Sequence, residues 1–134
     1  KQLRDAGWKG TFVVADGVKD QSFIDNAKDA AEGTIITCPC VPADVAPAFQ
    51  TAYKAKYNED PNTYSGEGYD SATILLDGIA AGKDRSSMVD FVKSYDKKGV
   101  TKQLKFDAKG ESADIKVFAY KVEGGKIVSV GEIK

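Results

Sequence analysis

The chain has 134 residues, 42% of them hydrophobic and 29% charged, with a formal net charge of −1 and no histidine. That length supports a real core, because a chain of this size buries roughly two thirds of its surface on folding. The balanced charge offers nothing to nucleic acid or an anionic membrane surface, and no apolar run is long enough to span a bilayer. The lack of histidine removes the commonest general base and the commonest zinc ligand together.

The opening KQLRDAGWKG places Leu3, Ala6 and Gly7 as the last turns of a helix closed by glycine, with no N-cap before it. A chain that opens in mid-helix is expected to be a piece of a longer protein. Phe12-Val13-Val14 reads as a buried strand, continuous rather than alternating, as in sheets covered on both faces. Asp16-Gly17 breaks it. A carboxylate at the carboxyl end of such a strand faces the crevice where α/β folds bind ligands, so Asp16 is a candidate contact. The plain alternative is that Asp16 only shapes a turn.

Asp20-Gln21-Ser22 caps a helix running through Phe23, Ile24 and Ala27 to about Ala31, ended by Glu32-Gly33. Thr34 to Cys38 is a second, β-branched strand, which completes a βαβ unit with parallel strands and a right-handed crossover. Cys38-Pro39-Cys40 is neither a CxxC redox motif nor, alone, a structural zinc site. Two cysteines that close on an extended chain lie near the upper limit for bridging, so a disulfide there requires a bend. Free thiols or a bridge to something outside the chain are equally open.

Pro39, Pro42 and Pro47 mark a change of direction. Asp44 is an N-cap for a helix with Val45, Phe49, Ala52, Tyr53 and Tyr57 on one face. A loop over 57–62 leads to a longer helix, with Tyr69, Ala72, Leu75, Leu76 and Ile79 facing inward and Gly82 ending it. Ser87 caps a third helix, in which Met88, Phe91, Val92 and Tyr95 repeat at helical spacing until Gly99. From Lys102 the period falls to two. Leu104 and Phe106 form a short strand before the turn DAKG, and Ile115, Val117 and Ala119 alternate with Lys116, Phe118 and Tyr120. Gly124-Gly125 then turns a hairpin into Lys126-Ile127-Val128. Three consecutive helices with a single short strand before the hairpin again suggest an incomplete architecture.

Catalytic patterns are weak. Gly66-x-Gly68 follows a proline-containing loop rather than a strand, so it eases a helix entry and does not bind a dinucleotide. Asp60, Asn62 and Glu67 lack EF-hand spacing, and without histidine no Ser-His-Asp triad exists. Asp5, Asp20 and Asp25 read as solvated helix faces. No enzyme is expected. Tyr64, between the loop and the helix opened by Ser65, either packs over the helix entrance or walls a small-molecule site with an apolar ring and one polar tip.

Four stretches together resemble a known family. KQLRDAGWKGTFVVADGVKD, DAAEGTIITCP, YSGEGYDSATILLDGIAAG and LKFDAKGESADIKVFAYKVEGGKI are similar, in order and spacing, to the second half of branched-chain amino-acid-binding proteins. These are extracytoplasmic receptors of ABC importers with the type I periplasmic-binding fold. The resemblance covers nearly the whole chain. It implies an α/β chain holding pieces of two three-layer lobes: a βαβ unit, three helices and a closing β-hairpin. Residues 1–39 would belong to the second lobe, 40–114 to the first, and 115–134 would return to the second, with hinge closure between lobes.

The same resemblance implies a ligand in the interlobe cleft, an aliphatic amino acid, delivered to an ABC permease from a periplasmic or extracellular location, lipid-anchored forms included. It implies no metal or organic cofactor. Asp16 matches the acidic position that pairs with the ligand's ammonium group, and Tyr64 an aromatic position lining the side-chain pocket. Leucine-type receptors carry Glu where this chain has Asp16, so the ammonium must sit closer or be reached through water. Groups gripping the ligand's carboxylate would belong to the missing N-terminal half of the receptor. Cys38 and Cys40 are no part of the family pattern, and their place at the crossover suggests a stiffened hinge. An amide, urea or aromatic-acid ligand, or a sensor module on the same lobes, is the alternative. A fragment of this kind would retain its partner half or pair with a second copy as a homodimer.

Overall fold

In the computed structural model, which describes all of residues 1–134, the chain divides into two units. One combines 1–42 with 116–134 and the other is 43–115.

The first unit is built on a four-stranded mixed sheet whose strands lie in the order Val13–Ala15 (β1), Ile35–Cys38 (β2), Phe118–Glu123 (β5) and Lys126–Glu132 (β6). A short helix α1 (Gln2–Asp5) ends near Gly7, whose φ of +85° suits glycine, and the chain enters β1 (Val13–Ala15). Helix α2 (Gln21–Ala27) starts where the Asp20 carboxylate accepts the Ser22 amide at 2.8 Å, as the capping residues predict. It gives way at Lys28 to a 3-10 turn reaching Ala31, so the regular helix is one turn shorter than expected. Strand β2 (Ile35–Cys38) pairs parallel to β1, Val14 opposite Ile36. The closing hairpin is β5 (Phe118–Glu123) and β6 (Lys126–Glu132), turned at Gly124-Gly125 with φ of +57° and +73°. β5 lies antiparallel against β2, Cys38 opposite Phe118.

Alternation along these strands sends Ile36, Cys38, Phe118, Tyr120 and Val122 into one core with Ile24 and Ala31 of the crossover. The opposite face differs from expectation. Val13 is 59% exposed, and its row-mates Ile35 and Lys121 are only half-buried. The apolar run at β1 therefore has one covered side, because the single crossover helix supplies apolar partners only to the face that carries Val14, Ile36 and Tyr120.

The second unit is helical with a two-stranded ribbon. Asp44 does not cap its first helix. It sits in a 3-10 turn (Ala43–Val45), and α3 (Pro47–Tyr57) begins at Pro47, whose fixed φ suits a first helical position. Phe49 stacks on Tyr53 and on Tyr69, with ring centroids 5.7 and 5.4 Å apart. The capping of α5 (Arg85–Lys93) also shifts. Asp84 is the cap and Ser87 the reciprocal partner in a capping box, the Asp84 carboxylate accepting the Ser87 amide at 2.9 Å. The helix stops at Lys93 rather than continuing to Gly99, and Asp96–Lys98 forms β3 against β4 (Gln103–Lys105). Tyr95, buried at the junction, donates its hydroxyl to Asp77 at 2.7 Å, and Lys97 donates to the same oxygen. Those two donors hold the Asp77 carboxyl below its usual range, while burial and Asp77 push the Tyr95 phenol up.

The long helix α4 (Ser65–Ala80) presents the reverse of the expected face. Its buried residues are Asp70, Ile74 and Gly78. Tyr69, Leu75, Leu76 and Ile79 are exposed, Leu76 by 63% and Ile79 by 62%. At 100° per residue the two sets lie on roughly opposite sides, so the large apolar side chains of α4 face away from its buried side. Packing chose the smaller set for close approach: a Cβ on Gly78 would meet Met88 Sδ at 2.5 Å.

Asp70 ties this unit together. It is 3% exposed, and its carboxylate accepts the amides of Val100 and Thr101 at 2.8 and 3.0 Å and the Thr101 hydroxyl. A Cβ on Gly99 would lie 2.6 Å from the same carboxylate, so Gly99 serves this approach and not a helix end. Asp70→Ala would leave the donors unsatisfied and is expected to destabilise the protein by about 2–4 kcal/mol. Thermal unfolding tests this, and a loss under about 0.5 kcal/mol would show that water replaces the carboxylate.

Candidate functional site

The residues of interest fall in both units, Asp16 in the first and Tyr64 in the second, and each is described in its own. Asp16 opens a 3-10 turn (Asp16–Val18) directly after β1. Ala15 is still extended, at φ −85° and ψ 175°, so the chain changes from strand to turn at Asp16 itself. The turn closes with the Lys19 amide donating to the Asp16 carbonyl at 2.8 Å, followed by the Asp20 amide to Val18 at 2.8 Å. Asp16 is half-buried at the carboxyl end of the parallel β1–β2 pair, which is where parallel strands present ligand-facing groups. The carboxylate supplies acceptors only, so its natural complement is a cation or a hydrogen-bond donor.

The neighbouring strand exit is closed covalently. Cys38 and Cys40 form a disulfide, with Cα atoms 5.1 Å apart, and neither residue is exposed. Of the alternatives open for these thiols the internal bridge is the one realised. The extended separation is shortened by a bend through Pro39, and the Cys40 amide donates to Cys38 Sγ at 3.2 Å. Tyr120, from β5, caps this turn: its hydroxyl donates to the Cys40 carbonyl at 2.8 Å and lies 3.8 Å from Cys40 Sγ. The same ring carries the Lys19 ammonium over its face, 4.3 Å from the centroid. Sequence reasoning did not single out Lys19 or Tyr120. Their meeting depends on the β2–β5 register, and no spacing in the chain signals it.

Tyr64 directly precedes α4 with φ of +65° and ψ of 8°, a left-handed conformation. A residue with a Cβ loses about 1–2 kcal/mol there. The conformation is held by its carbonyl, which accepts the Gly68 amide at 2.8 Å, and by reciprocal bonds just before it: Ser65 amide to Asn62 carbonyl at 3.1 Å, Asn62 amide to Ser65 hydroxyl at 2.9 Å. The phenol is 40% exposed, so it does not seal the helix entrance as a core side chain would. Gly66 is the residue that packs there. A Cβ on it would stand 2.7 Å from the Thr101 methyl. No group of His, Cys, Asp and Glu side chains forms a metal site, and no helix is long and apolar enough to cross a membrane.

Comparison with known proteins agrees with this architecture. A Leu/Ile/Val-binding protein of Citrobacter freundii is 30% identical over 125 residues, which cover 91% of this chain and 33% of that protein. Two solved structures match over 99% of the chain and 40% of their own length, each with a TM-score of 0.82 and 28% identity. They are the leucine-binding protein LivK of Thermotoga maritima and the branched-chain amino acid transporter substrate-binding protein LivJ of Streptococcus pneumoniae, the latter in complex with isoleucine. This chain thus spans a third to two fifths of the length of these relatives. They are binding proteins and transporter receptors, not enzymes. The sequence model of the family described as periplasmic binding protein matches residues 1–126, and the chain belongs to that family.

Proposed function

We propose that the chain is the closing portion of an extracytoplasmic receptor that binds a branched-chain amino acid between two lobes and delivers it to an ABC permease. The observation that carries this reading is the match, over nearly all of the chain at 28–30% identity, to leucine- and Leu/Ile/Val-binding proteins. The chemistry of the candidate residues supports it. An α-amino acid offers an ammonium group to a carboxylate such as Asp16, and an aliphatic side chain suits the face of a phenol such as Tyr64. In this reading residues 1–39 and 115–134 belong to one lobe and 40–114 to the other.

The buried disulfide supports an oxidising compartment, periplasmic or extracellular, since such bridges persist outside the cytosol. The exposed stripe Tyr69, Leu75, Leu76 and Ile79 supports a further layer covering α4, because contiguous apolar surface marks an interaction site. We assign that layer to the part of the receptor that its relatives have beyond the matched region.

Three measurements test the reading. In the full receptor, Asp16→Ala is expected to weaken leucine or isoleucine binding by about tenfold to a hundredfold, the worth of one charge-assisted contact. Unchanged affinity would return Asp16 to shaping its turn. Tyr64→Ala is expected to weaken leucine by about tenfold while affecting glycine-sized ligands far less, and a uniform loss would argue against an aromatic wall. Leucine titrated into the 134-residue chain alone is expected to bind no more tightly than about 1 mM, whereas a micromolar dissociation constant would place a complete site within it.

A further inference from the structure

Three observations converge on one side chain of the first unit. Tyr120 is 4% exposed and stands on β5, yet its two ends reach the exits of both parallel strands. Its hydroxyl is bonded to the Cys40 carbonyl at 2.8 Å, on the turn that the Cys38–Cys40 disulfide closes after β2. Its ring face lies under the Lys19 ammonium at 4.3 Å, and the Lys19 amide closes the Asp16 turn after β1.

We propose that Tyr120 is a positioning residue: with the Cys38–Cys40 disulfide it forms a clamp that fixes the Asp16 turn. The disulfide holds the Cys40 carbonyl in place. That carbonyl fixes the phenol, and the phenol fixes Lys19. A carboxylate on a three-residue turn gains directional precision only if the turn's far end is anchored, and Lys19 is that end. The β2–β5 pairing alone would place the Tyr120 backbone, but the hydroxyl and the ring face are what link the two exits. Neither sulfur needs to react, since both are fully buried and the bridge acts as a fixed brace. The use of this clamp in ligand binding rests on the reading of Asp16 given above; the clamp itself does not.

The test is amide hydrogen exchange in the full-length protein, comparing Tyr120→Phe, Lys19→Gln and the double variant Cys38→Ala/Cys40→Ala with the parent. Tyr120→Phe and the cysteine variant should each speed exchange severalfold at the Lys19 and Asp20 amides, which close the Asp16 turn. The Val122 amide, bonded to the Thr34 carbonyl in the same sheet, should stay protected. Lys19→Gln should speed exchange at the Lys19 and Asp20 amides while leaving the Cys40 amide unchanged. Unchanged exchange at Lys19 and Asp20 in Tyr120→Phe overturns the clamp, as does an equal rise at Val122, which would mean general loosening. If the cysteine variant does not fold, the two conservative variants decide alone. Leucine affinity measured on the same samples separates the two claims. A fall of about threefold or more in Tyr120→Phe supports a clamp that serves Asp16. Faster local exchange with unchanged affinity keeps the clamp and shows that ligand binding does not draw on it, while the reading of Asp16 itself is decided by Asp16→Ala.

Discussion

The first unit depends on the ladder between β2 and β5. Residues 35–38 and 118–121 pair antiparallel across some 80 intervening positions. This ladder places Ile36, Cys38, Phe118 and Tyr120 in one core, and the turn at its end is sealed by the Thr34–Val122 and Gly33–Val122 backbone bonds. Without it the parallel β1–β2 pair would be a two-stranded fragment with one crossover helix, too small to be stable in water. Closing so long a loop is entropically slow but not prohibitive, because the cost grows only with the logarithm of its length. The intervening unit, 43–115, forms its own core around Ile74, Tyr95 and Leu104, which removes most of that loop's freedom independently.

The ladder also explains why the functional candidates sit where they do. Cys38 stands opposite Phe118, so the chain leaves the sheet and re-enters it on neighbouring strands. Strand exits gather at that end: the Asp16 turn after β1 and the disulfide turn after β2. Gathering exits is how α/β sheets make ligand-facing edges, since side chains there are held by strands while their backbone is free to turn. Tyr120 adds a bond across the two exits that the ladder itself cannot provide.

Much of the first unit was legible in the sequence because its signals are short-range. The β-branched runs, the glycine breaks, the Asp20 cap and the Gly124-Gly125 turn each specify local backbone, and all four stand as expected. The position of Asp16 at a strand end followed from the apolar run stopping at Asp-Gly. What failed was any feature set by packing from elsewhere. Asp44 has a capping residue's chemistry, but Pro47 offers a better first helical position three residues on. β3 reads Asp-Lys-Lys and forms because β4 and its salt bridge to Asp96 lie alongside. The disulfide was left open because chain spacing alone does not show the bend at Pro39.

Helix α4 carries the most instructive discrepancy. Hydrophobic periodicity weights large apolar side chains, so it found Tyr69, Ala72, Leu75, Leu76 and Ile79 and missed the face that is buried. That face is one carboxylate, one isoleucine and one glycine. Its strength lies in hydrogen bonds from Val100 and Thr101 and in the close approach that Gly78 permits, neither of which has a hydropathy value. A helix with a polar-anchored contact on one side and an aliphatic stripe on the other is suited to lie between two layers. The periodicity therefore reported a real aliphatic stripe on α4 but assigned it to the side that packs, which is the other one. Tyr64, one residue before the helix begins, is set by the Asn62–Ser65 and Gly68 bonds in a conformation that its side chain disfavours. Backbone strain of that kind persists where surrounding bonds over-determine it, and it fixes the direction in which the ring leaves the chain.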